Sequence, residues 1–168
     1  MLVIPQTITV RVTGEVECSG IMYYKTEQID FKEYVKGVLP NEWLPRWDDE
    51  ALKAGAIAVK QYAVNMYNSQ GYVWDCTWNQ VYDPTRRTEQ TDRAVEDTWD
   101  RWLLGLPYEL VIKTYYNANK WGCYTQGPNC MSQEGSQELA EQGYTFEEIL
   151  FNYYGRNLIY WWNLNKYK

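Results

Sequence analysis

Polar and apolar residues alternate over Thr7-Ile8-Thr9-Val10-Arg11-Val12, the period of a strand with one buried face. A second extended segment is expected around Ile21-Met22-Tyr23-Tyr24, paired with the first. The period then becomes helical. Asp30 and Glu33 form a D-x-x-E start, close to a capping box, for an amphipathic helix predicted to run up to Pro40. Asp48 or Asp49 caps a long helix reaching about Asn68. Its stripe of Leu52, Ala56, Val59, Ala63 and Met66 has helical spacing, and Ala51, Ala54, Gly55 and Ala58 are small enough to admit a close neighbour. This helix is predicted to be central and buried.

Thr91 is expected to cap a third helix through about Trp102, and the apolar, β-branched run Leu110–Tyr116 predicts a core strand. Ser132 to Gln142 reads as a helix ended by Gly143. Thr145-Phe146-Glu147-Glu148 is a capping box for another, ended by Gly155, and Leu158–Trp162 reads as a last strand. The expected fold class is α+β: a single compact domain over residues 1–168, with several helices around a small mixed or antiparallel sheet. No repeat, low-complexity run or linker divides it.

With 168 residues the chain can bury a real core. No stretch is long and apolar enough to span a membrane. Met1-Leu2-Val3-Ile4-Pro5 enters the strand pattern at once, as expected of a mature or trimmed form without a signal peptide. The net charge is −6 and Arg86-Arg87 is the only basic doublet, so nucleic acid is not an expected partner. The chain has no histidine, which excludes Ser-His and Cys-His catalysis and any His-ligated metal. Chemistry must then come from carboxylates, tyrosine, lysine or cysteine.

Four cysteines, Cys18, Cys76, Cys123 and Cys130, allow two disulfides in three connectivities. The turn signal Gly127-Pro128 lies between Cys123 and Cys130 and pairs them, which leaves Cys18 with Cys76. Two bridges imply an oxidising, extracytoplasmic location; the alternative is four buried thiols. Nine Trp and sixteen Tyr stand against three Phe. Rings with a polar handle suit sugar clefts and protein interfaces, although most of them are expected to fill the core.

One carboxylate stands out. Glu42 sits just past the predicted end of the first helix, followed by Trp43, with Pro45 and Trp47 close by. Desolvation by such rings raises a carboxyl pKa and suits it to general acid catalysis. The alternative is a solvated loop glutamate.

Several segments, taken in order, carry a resemblance: Tyr34-Val35-Lys36-Gly37-Val38-Leu39-Pro40-Asn41-Glu42-Trp43, Leu52-Lys53-Ala54-Gly55-Ala56-Ile57-Ala58-Val59-Lys60-Gln61-Tyr62-Ala63, Asn79-Gln80-Val81-Tyr82, Thr114-Tyr115-Tyr116 and Met131-Ser132-Gln133-Glu134-Gly135. The last continues through Ala140 and Gly143 to Ile149-Leu150 and Tyr153-Tyr154-Gly155. Together they resemble the stage II sporulation protein D (SpoIID/LytB) domain family over about Thr7 to Gly155.

The resemblance implies a lytic transglycosylase of peptidoglycan, which cuts the glycan between N-acetylmuramic acid and N-acetylglucosamine and leaves a 1,6-anhydro ring. The family's catalytic glutamate falls on Glu42. A single acid suffices there, because the sugar's own C6 hydroxyl attacks in place of water or an enzyme nucleophile. Cleft candidates are Trp43, Tyr62, Gln80, Tyr82, Tyr116 and Gln133; Tyr62 is alternatively a core ring and Gln133 a helix cap.

The chain also departs from the family. Where members commonly carry a His-Ser-Thr-Ser-Gly-Gly-like run it reads Asn117-Ala118-Asn119-Lys120-Trp121-Gly122, and the later His-Gly-x-Gly-Met-Ser-Gln becomes Gly127-Pro128-Asn129-Cys130-Met131-Ser132-Gln133. Some members bind zinc through a His and two Cys in this region. Asn117 replaces that His, so a disulfide is expected here, with no metal and no cofactor. The rival expectation is a non-catalytic domain that binds glycan or associates with copies of itself through its Tyr/Trp-rich surface.

Overall fold

The computed structural model describes residues 4–20, 23–105, 110–127, 129–155 and 160–163. The expected segments at Ile21-Met22 and Leu158-Ile159, the N-terminal Met1–Val3 and the turn residue Pro128 lie outside the described residues.

The fold is α+β. In chain order it runs β1 (Thr7–Val12), β2 (Lys25–Asp30), α1 (Phe31–Glu42), α2 (Asp49–Gln70), β3 (Val73–Trp74), a 3-10 turn (Pro84–Arg86), α3 (Glu89–Thr98), β4 (Arg101–Gly105), β5 (Leu110–Val111), β6 (Tyr115–Asn117), α4 (Lys120–Gln126), β7 (Cys130–Ser132), α5 (Gln133–Glu141), α6 (Phe146–Tyr154) and β8 (Tyr160–Asn163). Among the described residues the strands form three small sheets. β1 pairs antiparallel with β2 and parallel with β3 in the order β2-β1-β3; β4 lies between β5 and β8; β6 and β7 run parallel.

The second helix is the hub. Ala51, Leu52, Ala54 to Gln61, Ala63 and Val64 are buried on it, and α1, α3, α5 and α6 pack around it. Asp48 caps its first turn through Glu50 N–H, and Gly71 closes it in the left-handed conformation at φ 81°. Lys60 is buried in this helix, and its Nζ donates to the carbonyls of Thr98, Trp99 and Arg101 at 2.8, 2.6 and 2.8 Å. An ammonium has three donors, so all three are satisfied where α3 ends.

Three predicted boundaries move. Pro40 does not end α1: the helix continues to Glu42, and in the turn before Pro40 the Gly37 carbonyl is met by Asn41 Nδ2 at 2.7 Å and Asp83 N–H at 3.1 Å. Thr88, not Thr91, caps α3; Thr91 is the reciprocal partner of its capping box, and the helix stops at Thr98 so that Trp102 lies in β4. The run 110–116 splits. Leu110–Val111 joins β4, while Thr114 turns inward to donate to the Ala58 carbonyl at 2.7 Å and sends Tyr115–Asn117 to β7. The antiparallel partner of β1 is Lys25–Asp30, with Tyr23 and Tyr24 just before it outside a strand, and α4 is an element without an expectation.

Both disulfides form, Cys18–Cys76 and Cys123–Cys130, with Cα separations of 5.7 and 5.3 Å. No described helix is long and apolar enough to cross a membrane.

Candidate active site

Glu42 is the last residue of α1, where the chain turns toward Trp43. Its carboxylate is held from two directions. Oε1 accepts from the Val81 backbone N–H at 2.9 Å, and Oε2 accepts from Gln133 Nε2 at 3.2 Å. Gln133 is the first residue of α5, whose cap Ser132 accepts from Gly135 N–H at 2.9 Å. The carboxyl is therefore aimed by a loop amide and by a side chain fixed at a helix start. Burial raises its pKa above the ordinary carboxylate value, and the bonds from Val81 and Gln133 only partly oppose this.

The carboxylate opens into a cavity of about 320 Å³ walled by Tyr62, Trp78, Tyr115, Tyr116, Asn117 and Gln133 among others. A larger hollow of about 790 Å³ lies around Trp99 and Trp102 with two carboxylates in its wall, Asp30, which is engaged in capping α1, and Asp100. The smaller cavity is the one with an aimed and desolvated acid. Of the two other carboxylates beside a motif, Asp83 and Glu134, Asp83 has its carboxyl held low by bonds from the Thr85 hydroxyl and N–H, which is the wrong direction for an acid.

The expected cleft residues divide. Tyr62, Tyr116 and Gln133 line the cavity with Glu42. Trp43 does not: it is 0% exposed, its Nε1 donates to Ser136 Oγ at 3.0 Å, and its ring meets Tyr116 edge-on at 5.0 Å. This corrects the expectation of a sugar-stacking surface there. Trp43 is apolar enough to complete the core, and it supports the cavity wall from behind. Gln80 is also 0% exposed and stands behind Tyr116, donating to its hydroxyl at 2.8 Å. Tyr82 stacks on Tyr34 at 5.3 Å and faces a different hollow with Val12, Lys25 and Pro84.

Trp78, which sequence reasoning does not single out, is the most exposed ring of the cavity at 56%. Its backbone N–H points at Cys18 Sγ at 3.3 Å, so the Cys18–Cys76 bridge pins its turn; Cys76, two positions before it, is the only signal the sequence offered. The Val81 amide is a backbone group and leaves no mark in a sequence.

The donor set that zinc would need does not fit. Cys123 and Cys130 are joined in a disulfide and are not thiolates, and Asn117 replaces the histidine. Among the described residues no three His, Cys, Asp or Glu side chains cluster as ligands.

Comparison with known proteins now decides the family. The family model described as stage II sporulation protein (SpoIID) matches residues 21–104, half of the chain. The chain belongs to this family. It is also 34% identical over 95 residues to an uncharacterized protein of Brachyspira hyodysenteriae, covering 54% of this chain and 26% of that one. It is 36% identical over 95 residues to the amidase enhancer of Bacillus subtilis, covering 56% of this chain and 13% of that one. The chain thus spans a minor part of the relatives it matches.

Proposed function

We propose that this domain cleaves the glycan strands of peptidoglycan as a lytic transglycosylase, with Glu42 as its acid and base. Family membership and the amidase-enhancer relative support a cell-wall-related role. The observation that carries the finer reading is Glu42 itself: a carboxyl with a raised pKa, aimed by two donors into an open, ring-lined cavity.

Protonated Glu42 gives its proton to the glycosidic oxygen as the bond from that oxygen to the anomeric carbon breaks. The C6 hydroxyl of the same sugar then attacks the anomeric carbon, and its proton returns to the Glu42 carboxylate. Atoms and charge balance without water, metal or a second carboxylate. The two disulfides suit an oxidising, extracytoplasmic setting at the wall of a bacterial-type cell, with the chain acting as one domain.

A second reading, a non-catalytic domain that binds glycan or itself, has one observation in its favour. Asn117 and Ala118 occupy the cavity wall where the family resemblance leads one to expect His and Ser. The test is digestion of glycan strands freed of stem peptides, read by mass spectrometry. Anhydro ends from the wild type and none from Glu42→Gln support the enzyme. Binding of the strands without anhydro ends supports the second reading.

A further inference from the structure

The hydrogen bonds behind Tyr116 have a fixed direction. Gln80 donates through Nε2 to the Val59 carbonyl at 3.1 Å and to Tyr116 Oη at 2.8 Å, and its Oε1 accepts from Tyr34 Oη at 3.2 Å. Turning the amide over would set its oxygen against the Val59 carbonyl, which can only accept. The amide is therefore locked by the backbone of α2. Both of its protons are used, and Tyr116 Oη must accept. The hydrogen of Tyr116 then has to point away from Gln80, its hydrogen-bond partner among the described residues. Tyr116 shares the cavity with Glu42. Burial, and next the charge of Glu42, push its hydroxyl pKa well above the usual phenol value, so it stays protonated.

We infer that Tyr116 is an obligate hydrogen-bond donor to the sugar oxygen that exchanges its proton with Glu42. The inference rests on the glycan-cleaving reading above. An oxygen between the two groups meets the carboxyl of Glu42 on one side and the hydroxyl of Tyr116 on the other. As the glycosidic bond breaks, negative charge grows on that oxygen. A donor whose orientation is held by Gln80 stabilises that charge with little reorganisation. Tyr116 acts here by donating a hydrogen bond and keeps its proton throughout. Gln80 is a positioning residue whose orientation is set by the Val59 carbonyl, and Tyr34 only donates to its remaining oxygen.

Turnover of stem-peptide-free glycan strands by Tyr116→Phe, Tyr34→Phe and Gln80→Met tests this, with kcat and KM measured separately and thermal midpoints recorded. Tyr116→Phe is expected to lower kcat by about tenfold or more with KM little changed. Tyr34→Phe is expected to change kcat by no more than about twofold, since it touches the same glutamine but not the cavity. Gln80→Met frees the Tyr116 hydroxyl to turn and is expected to fall between the two, again in kcat. If Tyr116→Phe fails to fold, Gln80→Met decides on the same split. Equal losses in Tyr116→Phe and Tyr34→Phe, tracking their midpoints, would make the network structural and overturn the inference. Full activity in Tyr116→Phe overturns it while leaving Glu42 in place. A wild type that yields no anhydro ends overturns the glycan-cleaving reading and this inference with it.

Discussion

The ring of Trp43 lies so close over Gly55 that a Cβ at Gly55 would stand 2.5 Å from Cδ2 and 2.7 Å from Cε2 of the indole. The residue after Glu42 is thus seated on the central helix at its one glycine. In an exposed helix, Gly→Ala stabilises by about 1 kcal/mol. Here the overpacking cost of about 1–3 kcal/mol outweighs that gain. Gly55→Ala is expected to lower stability in chemical denaturation and to reduce glycan cleavage, because a displaced Trp43 carries Glu42 with it. Unchanged or higher stability would show that the ring yields without cost.

The two disulfides close loops of different length, 58 and 7 residues apart in sequence. In the chain-entropy account the longer loop is worth about 4 kcal/mol and the shorter about 2.5 kcal/mol. Replacing Cys18 and Cys76 together by Ser should therefore cost more stability than replacing Cys123 and Cys130. It should also loosen the Trp78 turn, shifting Trp fluorescence before the protein unfolds. Equal costs for the two pairs would contradict this order.

Gln133 donates to the charged form of Glu42 and so opposes the effect of burial on its pKa. Gln133→Leu removes that donor and is expected to raise the Glu42 pKa further. Carboxyl-carbon NMR titration of the free protein reads this directly, without any assumption about substrate. In turnover, the alkaline limb set by protonated Glu42 should move to higher pH. A titration curve that stays where it was would mean that water replaces the amide fully.

Much of this arrangement is legible in the sequence, for local reasons. The caps at Asp30, at Asp48 of the pair Asp48 and Asp49, and at Thr145 are used as the sequence suggests, because a cap depends on residues within one turn. The buried stripe of α2 follows from its period. What fails depends on distant partners. Pro40 is carried within α1, and the turn before it is tied to Asp83, far along the chain, whose N–H meets the Gly37 carbonyl. The run 110–116 is divided because its halves find different sheets. In the cavity, Glu42, Tyr62, Tyr116 and Gln133 come together as the motifs suggest. Trp43, Gln80 and Tyr82 are just as near to motifs, yet a motif does not say which way a side chain points. Two of them are buried behind the wall and the third faces another hollow.

Glu42→Gln is the sharpest test, because stability and activity should move in opposite directions. The folded protein raises the Glu42 pKa above its unfolded value. Between those two values the folded state binds more protons than the unfolded state, so stability falls as pH rises through that window. The favourable contribution is complete below the ordinary carboxylate pKa and is lost above the raised one. Glutamine cannot titrate and removes this fall. Its Oε1 keeps the Val81 N–H, and its new amide faces Gln133, whose own amide can turn to accept. Thermal midpoints of wild type and variant should therefore lie close together at acid pH, with the variant equal or higher at neutral pH. Glycan cleavage should meanwhile fall by about 10²–10⁴, the usual worth of general acid–base catalysis. A variant that is less stable at neutral pH than at acid pH, relative to wild type, would mean that charged Glu42 supports the fold through Val81 and Gln133. A stable variant that still releases anhydro ends would place the acid elsewhere.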